Sequence, residues 1–428
     1  MVDVLHISEL GRAELFRVCW APNQTISNLS PIGYHIYDIY NFTQDCKPLE
    51  LTAKDKKDIN SWFESKKENI PDNEYKGMFK GKNLIIIQVE SLENFVIGQK
   101  INGQEITPNL NKLLGNSLYF PDYYEQVYNG TSSDADLMTN TSIYPVRRGS
   151  TFFRYPGNKY NSLPKLMQGI GYSTLAVHPD NASYWNWMPA LKSIGFQRCI
   201  DASYFDQSET IGMGISDGSY LRQVEPLAEK QKQPFYMFLV TLTSHAPFNL
   251  PQQYRELKLD PALDKTKLGG YFQSMHYTDK QLGIFIDKLQ KSGVLNNTAI
   301  ALYGDHCGIH KFYQQEVNQI QPSQSWWLDN HHHIPLIIYQ KNLKGKTVST
   351  IGGEIDLMPT ISYLMGIDES KYADTTMGRN LLKTNKNFAV LADGKYVGTA
   401  ASSKEKNSSI QGLEIANKII ESNYFKNK

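Results

Sequence analysis

Four apolar runs along the chain each end in a residue able to bind a metal or move a proton. They are Leu84–Val89 leading to Glu90, Ser173–Val177 leading to His178, Phe235–Leu242 leading to His245, and Thr298–Tyr303 leading to Asp305 and His306. Leu84-Ile85-Ile86-Ile87-Gln88-Val89 shows almost no alternation of polar and apolar positions, the pattern of a strand covered on both faces. From about residue 82 to 370 such runs alternate with helical segments, which predicts an α/β fold with a largely parallel central sheet and helices on both faces. If the four strands are parallel, their carboxyl ends share one edge, where open α/β sheets hold ligands. Ile334–Tyr339 reads as a similar strand, with Pro335 near its start, where a missing donor is tolerable.

The flanks read differently. Residues 1–80 are expected to form a helical lead-in that packs on the main domain, 81–372. Thr52 is a candidate N-cap, Ile59, Trp62 and Phe63 share a helix face, and the lysines between Lys54 and Lys67 form the solvated face. In 373–428 the texture changes to a small α+β subdomain with an antiparallel sheet. Asp393-Gly394 between Asn387–Ala392 and Lys395–Gly398 predicts a two-residue hairpin turn, and Ile410–Phe425 a closing helix.

Composition narrows the function classes. The chain has 428 residues, 40% hydrophobic, 20% charged and 12% aromatic, enough for a large packed core. A formal net charge of +1 gives no field for a polyanion, so no nucleic-acid partner is expected. Cys19, Cys46, Cys199 and Cys307 form no C-x-x-C pair, and a metal–thiolate site is not expected. No apolar run approaches the roughly 18–20 residues that cross a bilayer, and Met1-Val2-Asp3-Val4 does not open a signal peptide. The chain reads as soluble, or as the water-exposed part of a longer membrane protein.

The candidate chemistry sits at the strand ends. Asp305-His306 pairs a hard carboxylate with an imidazole, and Gly304 before it allows a turn that aims both at one cation. Glu90 beside an apolar core would need a cation or hydrogen bonds. Asn129–Asp134 is a hydroxyl-rich turn before a helix expected from Ala135, with Ser133 or Asp134 as its cap. The compatible functional reading is a nucleophilic Thr131 at a helix N-terminus, where backbone N–H groups favour a phosphate.

Val89-Glu90-Ser91, Gly130-Thr131-Ser132-Ser133-Asp134, Trp185-Asn186, Thr243–Phe248, Tyr303-Gly304-Asp305-His306 and Asp356–Thr360 occur in the order seen in lipoteichoic acid synthases, which the chain resembles over roughly 80–370. Those enzymes belong to the alkaline phosphatase and sulfatase superfamily. The resemblance implies that fold and one Mn²⁺ (or Mg²⁺) ion per chain held by Glu90, Thr131, Asp305 and His306, with Thr131 as catalytic nucleophile. It also implies substrate contacts from His178, Trp185 and His245. The implied reaction is transfer of glycerophosphate from phosphatidylglycerol, through a threonine-bound intermediate, to a glycolipid or polyglycerolphosphate acceptor. It would take place at the extracellular face of the cell membrane, with a membrane anchor outside this chain.

One position departs from the pattern. Where the synthases carry a phosphate-gripping arginine two residues after the tryptophan, this chain has Trp187. That leaves room for a primase or a different acceptor, with Arg147 and Arg148 as candidate substitutes. His331-His332-His333 could supply a second ion, although a single-metal site is favoured. The rival functions are a phosphodiesterase of the same superfamily and a non-catalytic sensor of teichoic acid or lipid headgroups. A sulfatase is disfavoured, because Thr131 lies outside the C-x-P-S-R context that formylglycine formation needs.

Overall fold

The computed structural model describes residues 22–45, 49–328 and 331–426; Met1–Val4, Cys19 and Cys46 lie outside the described residues. In chain order the elements that matter here are α1 (Pro22–Asp45), α2 (Ala53–Lys66), β1 (Asn83–Val89), β2 (Ser117–Tyr124), α3 (Ser132–Thr141), β3 (Ser173–Val177), β4 (Arg198–Ile200), β5 (Phe235–Val240), α4 (Lys267–Lys291), β6 (Thr298–Gly304), β7 (His333–Tyr339), β8 (Lys346–Thr347), β9 (Gly352–Gly353), β10 (Asn387–Val390), β11 (Tyr396–Thr399) and α5 (Ser403–Glu421).

The nine-stranded central sheet runs β8-β2-β7-β6-β1-β5-β3-β4, with β9 also paired to β2. Its middle, β6-β1-β5-β3, is parallel throughout, so the four runs that end in Glu90, His178, His245 and Asp305-His306 open on one edge. The lack of polar alternation in β1 has a direct cause. Leu84 and Ile86 enter the core on one face while Ile85, Ile87 and Val89 enter the core on the other. Each such side chain contributes about 1.5–3 kcal/mol relative to exposure, so neither face tolerates a polar alternate. The 25-residue α4 covers one face with Leu268, Tyr271, Phe272 and Met275. Helices α2 and α5 close the other, where the Trp62 indole donates to the Ser408 carbonyl at 2.8 Å.

The Ile334–Tyr339 run is a strand, β7, but it lies antiparallel to both β6 and β2. The chain leaves β6 at the edge that carries Asp305, spends residues 305–332 at that edge, and must run back down. Register shifts between Ile334 and Leu336, where Pro335 has no N–H for the ladder. Strand β2 was not legible as a strand, because Pro121-Asp122 interrupts its pattern.

Thr52 caps α2 in a capping box with Asp55, and Ile59, Trp62 and Phe63 are buried as the spacing predicts. The lysine face is not uniformly solvated, since the Lys66 ammonium donates to the Gly378 carbonyl at 2.8 Å. In the carboxyl-terminal hairpin the turn is one residue longer than the Asp-Gly signal predicts. Gly394 N donates to Leu391 O and Leu391 N to Lys395 O, both at 2.9 Å. That is a three-residue loop with Gly394 at φ 90°. The last helix begins at Ser403 rather than Ile410, with Ser402 capping it through Glu405 N.

Candidate metal and nucleophile site

The loop 128–134 sets the nucleophile side of the site. Asp134 Oδ2 accepts from Tyr128 N at 3.0 Å and Gly130 N at 2.9 Å, folding the loop over the start of α3. A Cβ on Gly130 would come within 2.2 Å of Asp134 Oδ1, so any larger residue would push the Asp134 carboxylate off those bonds. Helix α3 starts at Ser132, three residues before the expected Ala135, with Thr131 at the N-cap position and at φ 42°.

That shift decides which hydroxyl reaches the site. Ser132 Oγ stands 3.3 Å from Glu90 Oε2 and 3.3 Å from His306 Nε2. Thr131, at the N-cap, makes no side-chain capping bond. The resemblance implies Thr131 beside Glu90, Asp305 and His306; the hydroxyl placed next to Glu90 and His306 is that of Ser132. Three consecutive hydroxyl residues, Thr131 to Ser133, looked equivalent in the sequence. The positive φ at Thr131 makes Ser132 the first residue of the helix that faces the cluster.

Glu90, Asp305 and His306 each place a ligand atom within 4.8 Å of the others. All three are buried, and the strands fix them tightly. Asp305 Oδ1 accepts from Ser91 N and His306 N, both at 2.8 Å, and Glu90 Oε1 accepts from Ser91 Oγ at 2.6 Å. His306 Nδ1 lies 2.9 Å from the Cys307 carbonyl. Donation there leaves the Nε2 lone pair turned to the cluster, the tautomer a metal ligand needs.

Electrostatics point the same way. Burial, then the Asp305 charge, pushes the Glu90 carboxyl up, and burial lifts Asp305 to about 6 despite its backbone hydrogen bonds. Burial also holds the His306 imidazolium down, favouring the neutral ring. Asp305 Oδ2 is buried without a hydrogen-bond partner among the described residues. Two crowded carboxylates, a neutral imidazole and an orphaned oxygen fit a divalent cation with oxygen and nitrogen ligands.

The cleft lined by Glu90 and Ser132 continues to His178, Trp185 and His245, so the three expected substrate residues share its walls with those two. Two acids that the sequence did not single out join them. His178 lies 3.6 Å from Asp136 Oδ2 and 3.7 Å from Asp180 Oδ1. These distances are too long for hydrogen bonds, and His178 Nε2, Asp136 Oδ1 and Asp180 Oδ1 are buried without partners among the described residues. Asp136 follows Ser132 by one helical turn, a spacing that could have flagged it.

Trp187 is 1% exposed and stacks on the His178 ring at 3.9 Å, its indole donating to the Asn181 carbonyl at 3.0 Å. It shapes the back of the cleft and offers nothing to a phosphate oxygen. Arg147 does not replace the missing guanidinium, being engaged by the Ala392 carbonyl and the Tyr128 ring, and neither Arg147 nor Arg148 lines the cleft. Of the three consecutive histidines, His332 Nδ1 pairs with Glu125 Oε1 at 2.7 Å. Among the described residues no helix is long and apolar enough to cross a membrane.

Residues 82–367 match the family model described as Sulfatase. Lipoteichoic acid synthase 1 of Bacillus subtilis (strain 168) is 36% identical over 377 residues, covering 86% of this chain and 59% of that protein. The lipoteichoic acid synthase of Staphylococcus saprophyticus is 32% identical over 412 residues, covering 92% and 62%. The chain thus spans less than two thirds of the length of either relative. Among solved structures, the lipoteichoic acid synthase LtaP from Listeria monocytogenes superposes with a TM-score of 0.73 at 27% identity, over 85% of this chain and 98% of that one.

Proposed function

Because this chain belongs to the sulfatase family, we propose that it is the catalytic part of a glycerophosphotransferase of the lipoteichoic acid synthase type. It acts on phosphatidylglycerol at the outer face of a membrane and passes glycerophosphate to a glycolipid or polyglycerolphosphate acceptor. The observation that carries the reading is the Ser132 hydroxyl at 3.3 Å from both Glu90 and His306, beside an orphaned Asp305 oxygen.

Glu90, Asp305, His306 and Ser132 would hold one Mn²⁺ or Mg²⁺ ion, which when bound acidifies the serine hydroxyl and neutralises a phosphoryl oxygen. Ser132 Oγ gives its proton to solvent and attacks phosphorus, forming a glycerophosphoryl-serine ester as the bond to the diacylglycerol oxygen breaks. His245 or His178, both in the cleft, hands that leaving oxygen its proton. The acceptor hydroxyl then gives its proton to that same histidine and attacks the same phosphorus, and Ser132 leaves, regaining its proton from solvent. The orphaned atoms of Asp136, His178 and Asp180 suit the hydroxyls of a glycerol headgroup, which donate to carboxylates. Trp187, in the position of the family arginine, favours a primase-like choice of a small glycolipid acceptor over a grip on a growing polyglycerolphosphate chain.

Mass spectrometry of the chain incubated with phosphatidylglycerol and Mn²⁺ tests the proposal. A glycerophosphoryl adduct on the peptide containing Ser132, lost in Ser132→Ala, is expected. Headgroup binding without any adduct would instead make the protein a sensor, and release of free glycerophosphate without an acceptor would make it a hydrolase.

A further inference from the structure

Residues 305–307 present their side chains to two different clusters. Asp305 and His306 face Glu90, whereas Cys307 joins Glu125 and His332 in a second group whose ligand atoms also lie within 4.8 Å of one another. None of these three lines the cleft at Ser132. Glu125 is held from both sides: Oε2 accepts from Cys307 N at 2.8 Å and Oε1 pairs with His332 Nδ1 at 2.7 Å. Its own N–H donates to the His332 carbonyl at 3.1 Å, tying the end of β2 to the start of β7. Cys307 and Glu125 are buried, and His332 is half-exposed, so the group has an inner wall and an opening to solvent.

Against the cost of burial, the His332 hydrogen bond and then the Lys311 charge hold the Glu125 carboxyl down to about 2, so it stands as an anion ready to ligate. Glu354 is fully buried with Oε1 unpartnered among the described residues, and burial, then the nearby Glu125, Asp305 and Asp134 carboxylates, push its carboxyl well up, toward the neutral form.

We propose that Glu125, Cys307 and His332 form a second metal site, selective for a softer, zinc-like divalent ion. The donor set decides the selectivity. Thiolate and imidazole beside one carboxylate suit Zn²⁺, Co²⁺ or Ni²⁺, whereas the Glu90 cluster, with oxygen donors and one imidazole, suits Mn²⁺ or Mg²⁺. Ligand atoms on a tetrahedral zinc stand roughly 3.3–3.6 Å apart, given bonds of about 2.0–2.3 Å. Side-chain rotations that open the 2.7 Å Glu125–His332 hydrogen bond let an ion in, and binding releases to solvent both the proton held in that bond and the Cys307 thiol proton. Three protein ligands leave a fourth position open toward the side of His332. The two ions would share one stretch of backbone, since the Cys307 carbonyl orients the His306 ring at 2.9 Å.

Cobalt spectroscopy reads this site without reference to turnover. The whole chain is stripped with chelator, supplied with excess Mn²⁺ and titrated with Co²⁺. Wild type and Ser132→Ala are expected to show a near-ultraviolet thiolate-to-cobalt charge-transfer band, and Cys307→Ser none. His332→Gln alters a half-exposed side chain and so keeps the fold; it should weaken cobalt binding by about tenfold or more. Wild type binding cobalt without the band, the band persisting in Cys307→Ser, or unchanged affinity in His332→Gln would each overturn the proposal. Because none of these readouts uses phosphatidylglycerol, failure here leaves the transferase reading to its own test.

Discussion

Ser132 Oγ and His306 Nε2 stand 3.3 Å apart although 174 residues separate them, and the pairing depends on a helix that begins at Ser132 with Thr131 outside it. Ser132→Ala should lower transferase activity by about 10³-fold or more, since it removes the attacking atom. Thr131→Val should keep activity within about tenfold. Initial rates with labelled phosphatidylglycerol separate the two, and the opposite ranking would return the nucleophile to Thr131.

Trp187→Arg restores the family residue at that position, yet it should not create a phosphate grip. The side chain is 1% exposed and stacked on His178, so the substitution buries an unpaired charge. A loss of about 3 kcal/mol or more in denaturant unfolding is expected, with activity falling rather than rising. Trp187→Phe, which keeps a ring over the imidazole, should lose less on both counts.

Burial lifts the Asp136 carboxyl from an ordinary 3.8 to about 7. The folded protein therefore binds a proton there that the unfolded chain releases, and this group's contribution to stability falls as pH rises from about 4 to about 7. A tenfold difference in proton affinity between the folded and unfolded chains corresponds to about 1.4 kcal/mol. Asp136→Asn should leave stability nearly unchanged at pH 4 and raise it by a few kcal/mol at pH 8. Melting temperatures of both proteins across that range measure the difference, and a gain confined to acid pH would contradict it.

Gly304 ends β6 immediately before Asp305, and a Cβ there would lie 1.9 Å from the Leu92 carbonyl oxygen. That neighbour is backbone, so Gly304→Ala must move one chain past the other. A loss of about 1–3 kcal/mol is expected, together with weaker Mn²⁺ binding from a displaced Asp305, readable by calorimetric titration. Wild-type affinity in a stable Gly304→Ala protein would show that the approach has slack.

The parallel middle of the sheet was legible because both of its faces are apolar. Leu84–Val89 could be nothing but a doubly covered strand, and its neighbours carried the same mark. The direction of β7 was not legible, since a run such as Ile334–Tyr339 is equally apolar whichever way it lies. Only the return from the loop at 305–332 makes it antiparallel.

The same division holds at the site. Glu90, Asp305 and His306 could be read because each directly follows a strand, and strand ends in a parallel sheet share an edge. The choice of Ser132 over Thr131 turned on a single backbone dihedral, which residue types alone leave open where three hydroxyls are adjacent. Cys307 looked inert in the chain because metal–thiolate patterns are recognised by close spacing, while its partners Glu125 and His332 arrive from the two antiparallel strands β2 and β7. Local pattern thus determined which segments form the parallel middle of the sheet and which residues stand at their ends. Contacts between segments far apart in sequence decided which side chains meet, because that depends on strand direction and helix phase, and these are set by packing across the whole sheet.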